Sequence, residues 1–444
     1  MPEALLAVGA LTANVPAAAD ASAALGALTD AAAAVAAALR HTCTAVDAAY
    51  VAADPLVSGT ALALAASFVC WFLSVTTGNY SWTDRFWSIT PPLYALHFAF
   101  FHTTVAVISG QQTLGATLRA LLAGGADGVV LPSARLLLMA LLPALWGARL
   151  TFNFARKGGY RLDFEDYRWA IVRTWFPPVV YQIFNVVFIA LYQNLLIFAI
   201  ILPAYVALRA DARAPALTAL DGIAVAAFAA LLAVETVADN QQWAFQTRKY
   251  ELIRQSAPLQ GDYARGFLTA GLFRYSRHPV RRGAREALNA AHAVDGAARV
   301  RRARAPLGRG ARGQNFFAEM GMWWAYYLFS VAASGVWLNW TVAGTALLTL
   351  LFQGSTTMTE VITARKYPAY TEYQRTTSRL LPWFPGTPAA GAAAAPATVK
   401  PAEKPAASPP TSPAVVAARS PAAPPSSARS PRTRAQRSRR TQHD

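Results

Sequence analysis

Apolar residues in this chain gather in seven long blocks rather than alternating with polar ones. The blocks fall near residues 58–77, 88–108, 130–150, 178–206, 217–237, 316–334 and 337–354. Each approaches the roughly 20 residues that an α-helix needs to cross a hydrocarbon layer about 30 Å thick. In lipid every backbone N–H and C=O needs a partner within the chain, so the blocks read as helices and not strands. The fourth is long enough for a tilted or broken helix. Almost nothing separates the sixth from the seventh around Gly335, which predicts a tight hairpin. The expected fold class is an all-α integral membrane protein, multi-pass, with about seven transmembrane helices and cytosolic loops forming a cofactor pocket.

The flanks read differently. Residues 1–57 are Ala-rich and carry Glu3, Asp20, Asp30, Asp47 and Asp54 against Arg40. A transit peptide is Arg-rich and acid-poor, and a secretory signal needs a charged start before a short apolar core. A disordered or weakly helical leader is the expectation. From residue 386 to 444 the chain is Pro, Ala, Ser and Arg, too poor in apolar side chains to bury a core, and reads as disordered. The membrane domain is therefore expected over 58–385, interrupted by an Arg/Ala/Gly-rich stretch at 280–314.

Composition supports this division. Of 444 residues 55% are hydrophobic and only 14% charged, a balance that favours a membrane chain over two or three soluble domains. The net charge of +17 is concentrated in the two low-complexity pieces. Stretch 280–314 holds nine arginines against Glu286 and Asp295, and 386–444 holds nine Lys or Arg against Glu403 and Asp444. Neither interleaves aromatic residues for base stacking, so no nucleic-acid partner is expected. The basic tail would meet anionic lipid or simply solvent. Cys43 and Cys70 are the two cysteines; they make no metal spacing and no disulfide framework, and no metal is expected. With seven spans, Arg156, Lys157, Arg161, Arg168 and Arg173 after the third share a side with Arg248, Lys249, Arg254, Arg265, Arg274 and Arg277 after the fifth. The positive-inside rule places that side in the cytosol.

Five polar segments adjoin the apolar blocks. Asp84 and Arg85 stand with Trp82, Trp87 and Ser88 at the start of the second, either as an interfacial pair in a Trp belt or as a cluster facing the bundle interior. Asp84 is the best-placed ionisable group there for a proton donor, with Tyr94 further in. Arg149, Asn153 and Arg156 follow at helical spacings of four and three and share one face. Arginine suits a diphosphate because its planar fork donates two bonds at once; anchoring to lipid headgroups is the plainer reading. Glu235, Asp239, Asn240, Gln241, Gln242 and Arg248 run off the end of the fifth block. Amides and carboxylates at that depth are costly unless paired or lining a wet cavity. Arg277 and His278 precede Pro279, and Asn315 and Glu319 open the sixth block four residues apart, where a helix start favours an anionic or polar ligand. Glu360, Arg365, Tyr367, Tyr370 and Tyr373 follow the seventh. Arg365 and Tyr373 would hold a phosphate and an adenine-bearing group, or the segment is an amphipathic helix on the membrane.

Together these segments resemble the steroid 5α-reductase-like membrane family, in particular its DUF1295 branch, over about 58–279 and 315–385. The most specific pieces are the run from Glu165 to Trp169, the turn Ser276 to Pro279 with Asn315 to Glu319, and the ending with Tyr367, Pro368, Tyr373 and Pro382. The resemblance implies seven helices, NADPH bound from the cytosolic side, and reduction of a carbon–carbon double bond in a lipid or sterol-like substrate, with the endoplasmic reticulum as the location. It implies cofactor contacts at Asn240, Gln241 and Arg248, at Arg149, Asn153 and Arg156, at Arg277 and His278, and at Asn315, Glu319, Arg365 and Tyr373. A membrane S-adenosylmethionine-dependent methyltransferase of the isoprenylcysteine or phospholipid type shares a similar Arg-His-Pro turn and terminal Glu/Tyr pattern. The Asn315 to Glu319 continuation and the Glu165 to Trp169 run favour the reductase. A scaffold or transporter is the non-enzymatic reading, but the chain shows no internal repeat and its polar motifs gather at one face.

In the family the His-Pro turn runs straight into the Asn-Phe-Phe helix start, whereas here 280–314 intervene. The stretch begins with Val280 and ends with Gln314, residues whose codons can carry the GT and AG of intron borders. We therefore expect it to be a retained intron or gene-model error; otherwise it is a basic loop that closes at its base, which costs little entropy. Sequencing the transcript across Pro279–Asn315 checks this: mature message should lack the segment, and abundant message containing it would refute the intron.

Overall fold

The computed structural model describes residues 34, 41–210, 216–277, 316–380 and 383–386, and all regular structure among them is helical. Most of the leader, the 280–314 stretch, and the tail from 387 lie outside the described residues; 41–52 are helical.

Local chemistry sets the helix ends. The first long helix, α1 (Pro55–Thr77), starts where Asp54 accepts the Leu56 N–H at 2.8 Å and Pro55 fills the first helical position, and it stops at Gly78 with φ 64°. The second apolar block forms α2 (Thr90–Ala99) and α3 (Phe101–Ile108), bent by 67°. A short α4 (Leu114–Ala123) leads to α5 (Ala134–Arg156). The fourth block is α6 (Pro178–Ala210), which holds a π-helical stretch at Asn185–Tyr192. Next comes α7 (Ala219–Arg254), opened by a capping box between Thr218 and Asp221. The last long helices are α8 (Phe316–Ser334) and α9 (Val342–Lys366), turned through Gly335 as expected, and α10 (Tyr370–Thr376) follows.

Helices α1, α5, α6 and α7 are long and apolar enough to cross a membrane, and the bent α2–α3 pair makes a fifth if it counts as one span. Helices α8 and α9 occupy the sixth and seventh blocks but fall short of the same apolar measure. The reason is composition: Glu319 with the Trp and Tyr residues of α8, and the threonines and Gln353 of α9, lower the mean hydropathy. Helix α8 runs through the middle of the bundle, packed against α5, α7, α9 and the end of α6, and Met322, Trp323, Tyr326 and Phe329 are wholly buried. A helix surrounded by protein needs no continuous apolar coat.

The core centres on Trp146 of α5 and Trp323 of α8, edge to face at 4.9 Å, with Phe228 of α7 closing on the same indole at 6.3 Å. Two glycines bring backbones together. A Cβ at Gly147 would lie 2.5 Å from the Ser88 carbonyl oxygen, and one at Gly344 would overlap that of Ala199. The first seats α2 on α5; the second seats α9 on α6.

A buried ion pair ties the starts of α5 and α7. Arg135 donates to both oxygens of Asp221, at 2.8 and 2.9 Å, and both side chains are buried. Asp221 also accepts from the Thr218 backbone at 2.7 Å. Asp221→Ala strands the Arg135 charge and removes the cap, so it should cost about 3–5 kcal/mol. Thermal unfolding in detergent reads this, with Asp221→Asn expected to lose less.

Candidate functional site

Three polar layers build the site. The outermost is a clamp between the Asn79–Arg85 segment and the loop after α5. Arg85, 4% exposed, donates to the carbonyls of Gly159 at 3.2 Å, Arg161 at 3.0 Å and Phe164 at 2.8 Å. Its guanidinium therefore anchors backbone. The Asp166 amide donates to Ser81 Oγ at 2.8 Å, and the Asp166 carboxylate caps the short helix Tyr167–Val172. These contacts aim Arg168 and Trp169 at Asp84, at 3.3 and 2.8 Å. Of the two readings for this segment, the cluster facing inward holds.

The second layer is a charge centre between α5 and α7. Arg149 donates from Nη1 to Asp239 at 2.8 Å and lies 2.9 Å from Glu235 through Nη2. Asn153, one turn on, donates to the same Asp239 oxygen at 2.5 Å. Arg156, another turn on, donates to Asn240 Oδ1 at 2.9 Å and lies over the rings of Phe152 and Trp243 at 5.3 and 4.8 Å. Glu319, in the first turn of α8, is buried beside the same centre, where Arg149 and Asp239 act on it electrostatically and Trp87 faces it as a donor.

The third layer is a cavity of about 610 Å³ against which both polar groups stand. Asp84, Asn153, Lys157, Arg168, Gln193, Glu235, Asp239 and Glu319 supply its polar lining. The rest is mainly apolar, including Trp87, Phe154, Phe176, Phe184, Phe188 and Phe316. A mostly apolar pocket in the range of about 300–1,000 Å³ with a few convergent polar groups is the usual form of a small-molecule site. Phe176, Phe184, Phe188 and Tyr192 stack in a column along one wall, with centroids 5.4, 4.9 and 5.4 Å apart.

The structure brings some of the expected residues to this cavity and holds others away. Asp84, Asn153 and Glu319 line it; Arg149 stands directly behind its floor, and Arg156 and Asn240 pair beside it. Tyr94 does not line it: α2 turns that ring inward against Phe198 of α6, 5.2 Å away. Gln241 accepts the Leu272 amide at 3.0 Å and so holds the segment after α7. Arg248 lies nine residues past Asp239, roughly 14 Å along the helix, exposed and 3.3 Å from Glu251. Arg365 is exposed near the end of α9. Arg277 is committed to structure: it donates to both Glu360 oxygens at 2.6 and 3.1 Å and to the Gln374 and Thr377 carbonyls at 2.7 and 2.5 Å. Tyr373 donates to the Phe273 carbonyl, and burial pushes its phenol above the ordinary range. Arg277 and Tyr373 thus fasten α10 to the segment before residue 278, and Arg365 stands apart from Tyr373, exposed near the end of α9. His278 and Asn315 lie outside the described residues.

Glu235, Lys157, Arg168 and Gln193 belong to the lining although they were not among the candidate site residues. Glu235 carried a signal, being one helical turn before Asp239 inside an apolar block. Gln193 carried a weaker one, as an amide in the middle of the fourth block.

A helical membrane-type bundle that encloses an apolar cavity with an ionic floor is the class this architecture defines. The chain belongs to the family described as "Protein of unknown function (DUF1295)", which matches residues 70–280 and 292–377. It is 33% identical over 344 residues to an uncharacterized protein of the fission yeast Schizosaccharomyces pombe, a similarity covering 76% of this chain and 83% of that one. No solved structure matches it.

The division between hub and periphery is measurable. Arg149→Ala leaves Glu235 and Asp239 buried without their shared cation and should cost about 3–5 kcal/mol. Arg248→Ala and Arg365→Ala should stay within about 0.5 kcal/mol. Unfolding midpoints of the three variants in one detergent check the contrast.

Proposed function

We propose that this protein is a membrane oxidoreductase that reduces a carbon–carbon double bond of a lipid or sterol-like substrate with NADPH. The observation that carries the reading is the cavity: apolar aromatic walls over a floor of buried carboxylates. Such a site takes up an apolar molecule and excludes water while keeping an acid at its end. The resemblance to the steroid 5α-reductase-like proteins supports the same chemistry. It also supports a seven-span arrangement with α8 and α9 as the last two spans, the polar layers toward the cytosol, and residence in the endoplasmic reticulum.

The lining suits a nicotinamide dinucleotide in its donor set. Lys157 and Arg168 bring positive charge for phosphates, Asn153 and the carboxylates offer partners for ribose hydroxyls and a carboxamide, and the aromatic side chains offer ring faces. When bound, NADPH supplies the hydride. The chain's own residues supply the proton and the dry, fixed surroundings. Asp84 accepts from Arg168 and Trp169, which makes it an acceptor that positions those side chains. Glu319 is the better proton donor. Its carboxyl lines the cavity beside Arg149, which is already shared by Glu235 and Asp239, and among the described residues Glu319 makes no ion pair. Three carboxyl groups around one guanidinium leave surplus negative charge in a site of low polarity, and one bound proton relieves it. That proton passes to the substrate carbon that does not receive hydride, and Glu319 recovers one from water.

A methyltransferase using S-adenosylmethionine draws on the same surplus, since a sulfonium cation suits carboxylates and aromatic faces. Titrating purified protein with NADPH and with S-adenosylmethionine separates the two. Saturable NADPH binding is expected; binding of S-adenosylmethionine alone overturns the reductase. Glu319→Gln should keep NADPH affinity within about threefold and lower turnover by about 10²-fold or more. Unchanged turnover removes Glu319 from the proton step.

A further inference from the structure

The cavity opens through its side. Leu350, Trp175 and Gly354 line it and are exposed, the first two at 65% and 57%, which puts the mouth beside them. The mouth lies between α9 and the first half of α6. At one end these helices are pinned, backbone against backbone, where Gly344 meets Ala199 and Ile200. Away from that pin α9 makes no comparable approach to 178–192, and the ring column of Phe184, Phe188 and Tyr192 faces the gap. Further along, Met358 packs on the buried cluster of Trp169, Tyr181 and Ile189 that also carries Phe176, Phe184 and Phe188, and so bridges α9 to that side as a plug. Between pin and plug a cleft follows α9 from Leu350 toward Met358, about 12 Å of helix.

Gly354 stands in the middle of this cleft. It is exposed and lines the cavity, and a Cβ added to it would meet nothing within 4 Å. Outside, the rims are apolar: Val180, Ile183 and Val187 on α6 and Leu347 on α9 are exposed. Helix α6 is one of the apolar spans, so the mouth faces hydrocarbon. One wall is a straight column of parallel rings. Ring faces in one column suit a flat, ring-bearing body laid against them.

We infer that this cleft admits a flat, ring-bearing lipid from the bilayer into the cavity, with Gly354 keeping the way open and setting what passes. The identity of the cargo as substrate rests on the reductase reading; the existence of the passage does not.

The test uses the full chain in phosphatidylcholine nanodiscs with a diazirine-bearing sterol as probe. Adducts are mapped by mass spectrometry, and NADPH binding is measured on the same samples. Adducts should fall on 350–358 and 184–192. Gly354→Trp should reduce them by about tenfold, whereas Ile223→Trp, exposed on α7 and outside both the lining and the rims, should leave them within about twofold. Gly354→Leu, which adds less bulk in open space, gives an intermediate loss and serves if the Trp variant does not insert. Adducts confined to other helices, or undiminished in both Gly354 variants, overturn the passage. Loss of NADPH binding in the wild-type protein overturns the reductase reading alone, because the adduct map still judges the cleft.

Discussion

Everything at the centre of this bundle depends on Arg149 lying between Glu235 and Asp239. A guanidinium in that position satisfies two carboxylates from one helix and, through Asn153, fixes the rotation of α5 against α7. Taking any of these charges out of water is expensive, and the cost is tolerated only while the partners stay together. An apolar pairing would hold the two helices as firmly without leaving ionic groups on a cavity wall. The persistence of charge at this depth, on the floor of a void, is an argument for a site and not for stability.

The clamp around Arg85 serves that centre from outside. By holding three carbonyls of the loop after α5, Arg85 sets where the short helix Tyr167–Val172 begins, and hence where Arg168 and Trp169 point. Arg277 does similar work at the other edge, fastening α9 and α10 through Glu360 and two carbonyls. Among the described buried arginines, Arg85 holds backbone, Arg277 holds backbone and Glu360, Arg135 pairs with Asp221 at the helix starts, and Arg149 meets two carboxylates at the cavity floor.

The long helices were largely legible in the chain, because each apolar block falls on one of them or, for the second, on the bent α2–α3 pair. Helix α7 was read short. Its apolar block ends near 237, but the helix continues to Arg254. Hydropathy reports where an apolar environment ends, and a helix can project beyond it. The charge centre was half legible: spacings of four and three put Arg149, Asn153 and Arg156 on one face, while their partners 84 to 90 residues away depend on packing. Arg277 shows why the remainder was hidden. An arginine that grips a ligand and one saturated by Glu360 and carbonyls have the same neighbours in the sequence. The bent α2–α3 pair adds a similar lesson for Tyr94, since which side of α2 faces the cavity follows from Gly147 seating α2 on α5.

The π-helical stretch of α6 joins these threads. In an α-helix, side chains four apart overshoot a full turn by roughly 40°, so a series at that spacing winds away around the axis. A π-helix closes its hydrogen bonds one residue later and takes more residues per turn, which lessens the drift. Phe184, Phe188 and Tyr192 straddle that stretch and stay in one column, with successive ring planes 20° and 13° apart. Gln193 follows at once and brings an amide to the same wall. An ordinary helix would have turned part of this column toward the outer face of the bundle. A local winding change, which costs hydrogen-bond geometry, is what makes one helix both a rim of the mouth and an inner wall of the cavity.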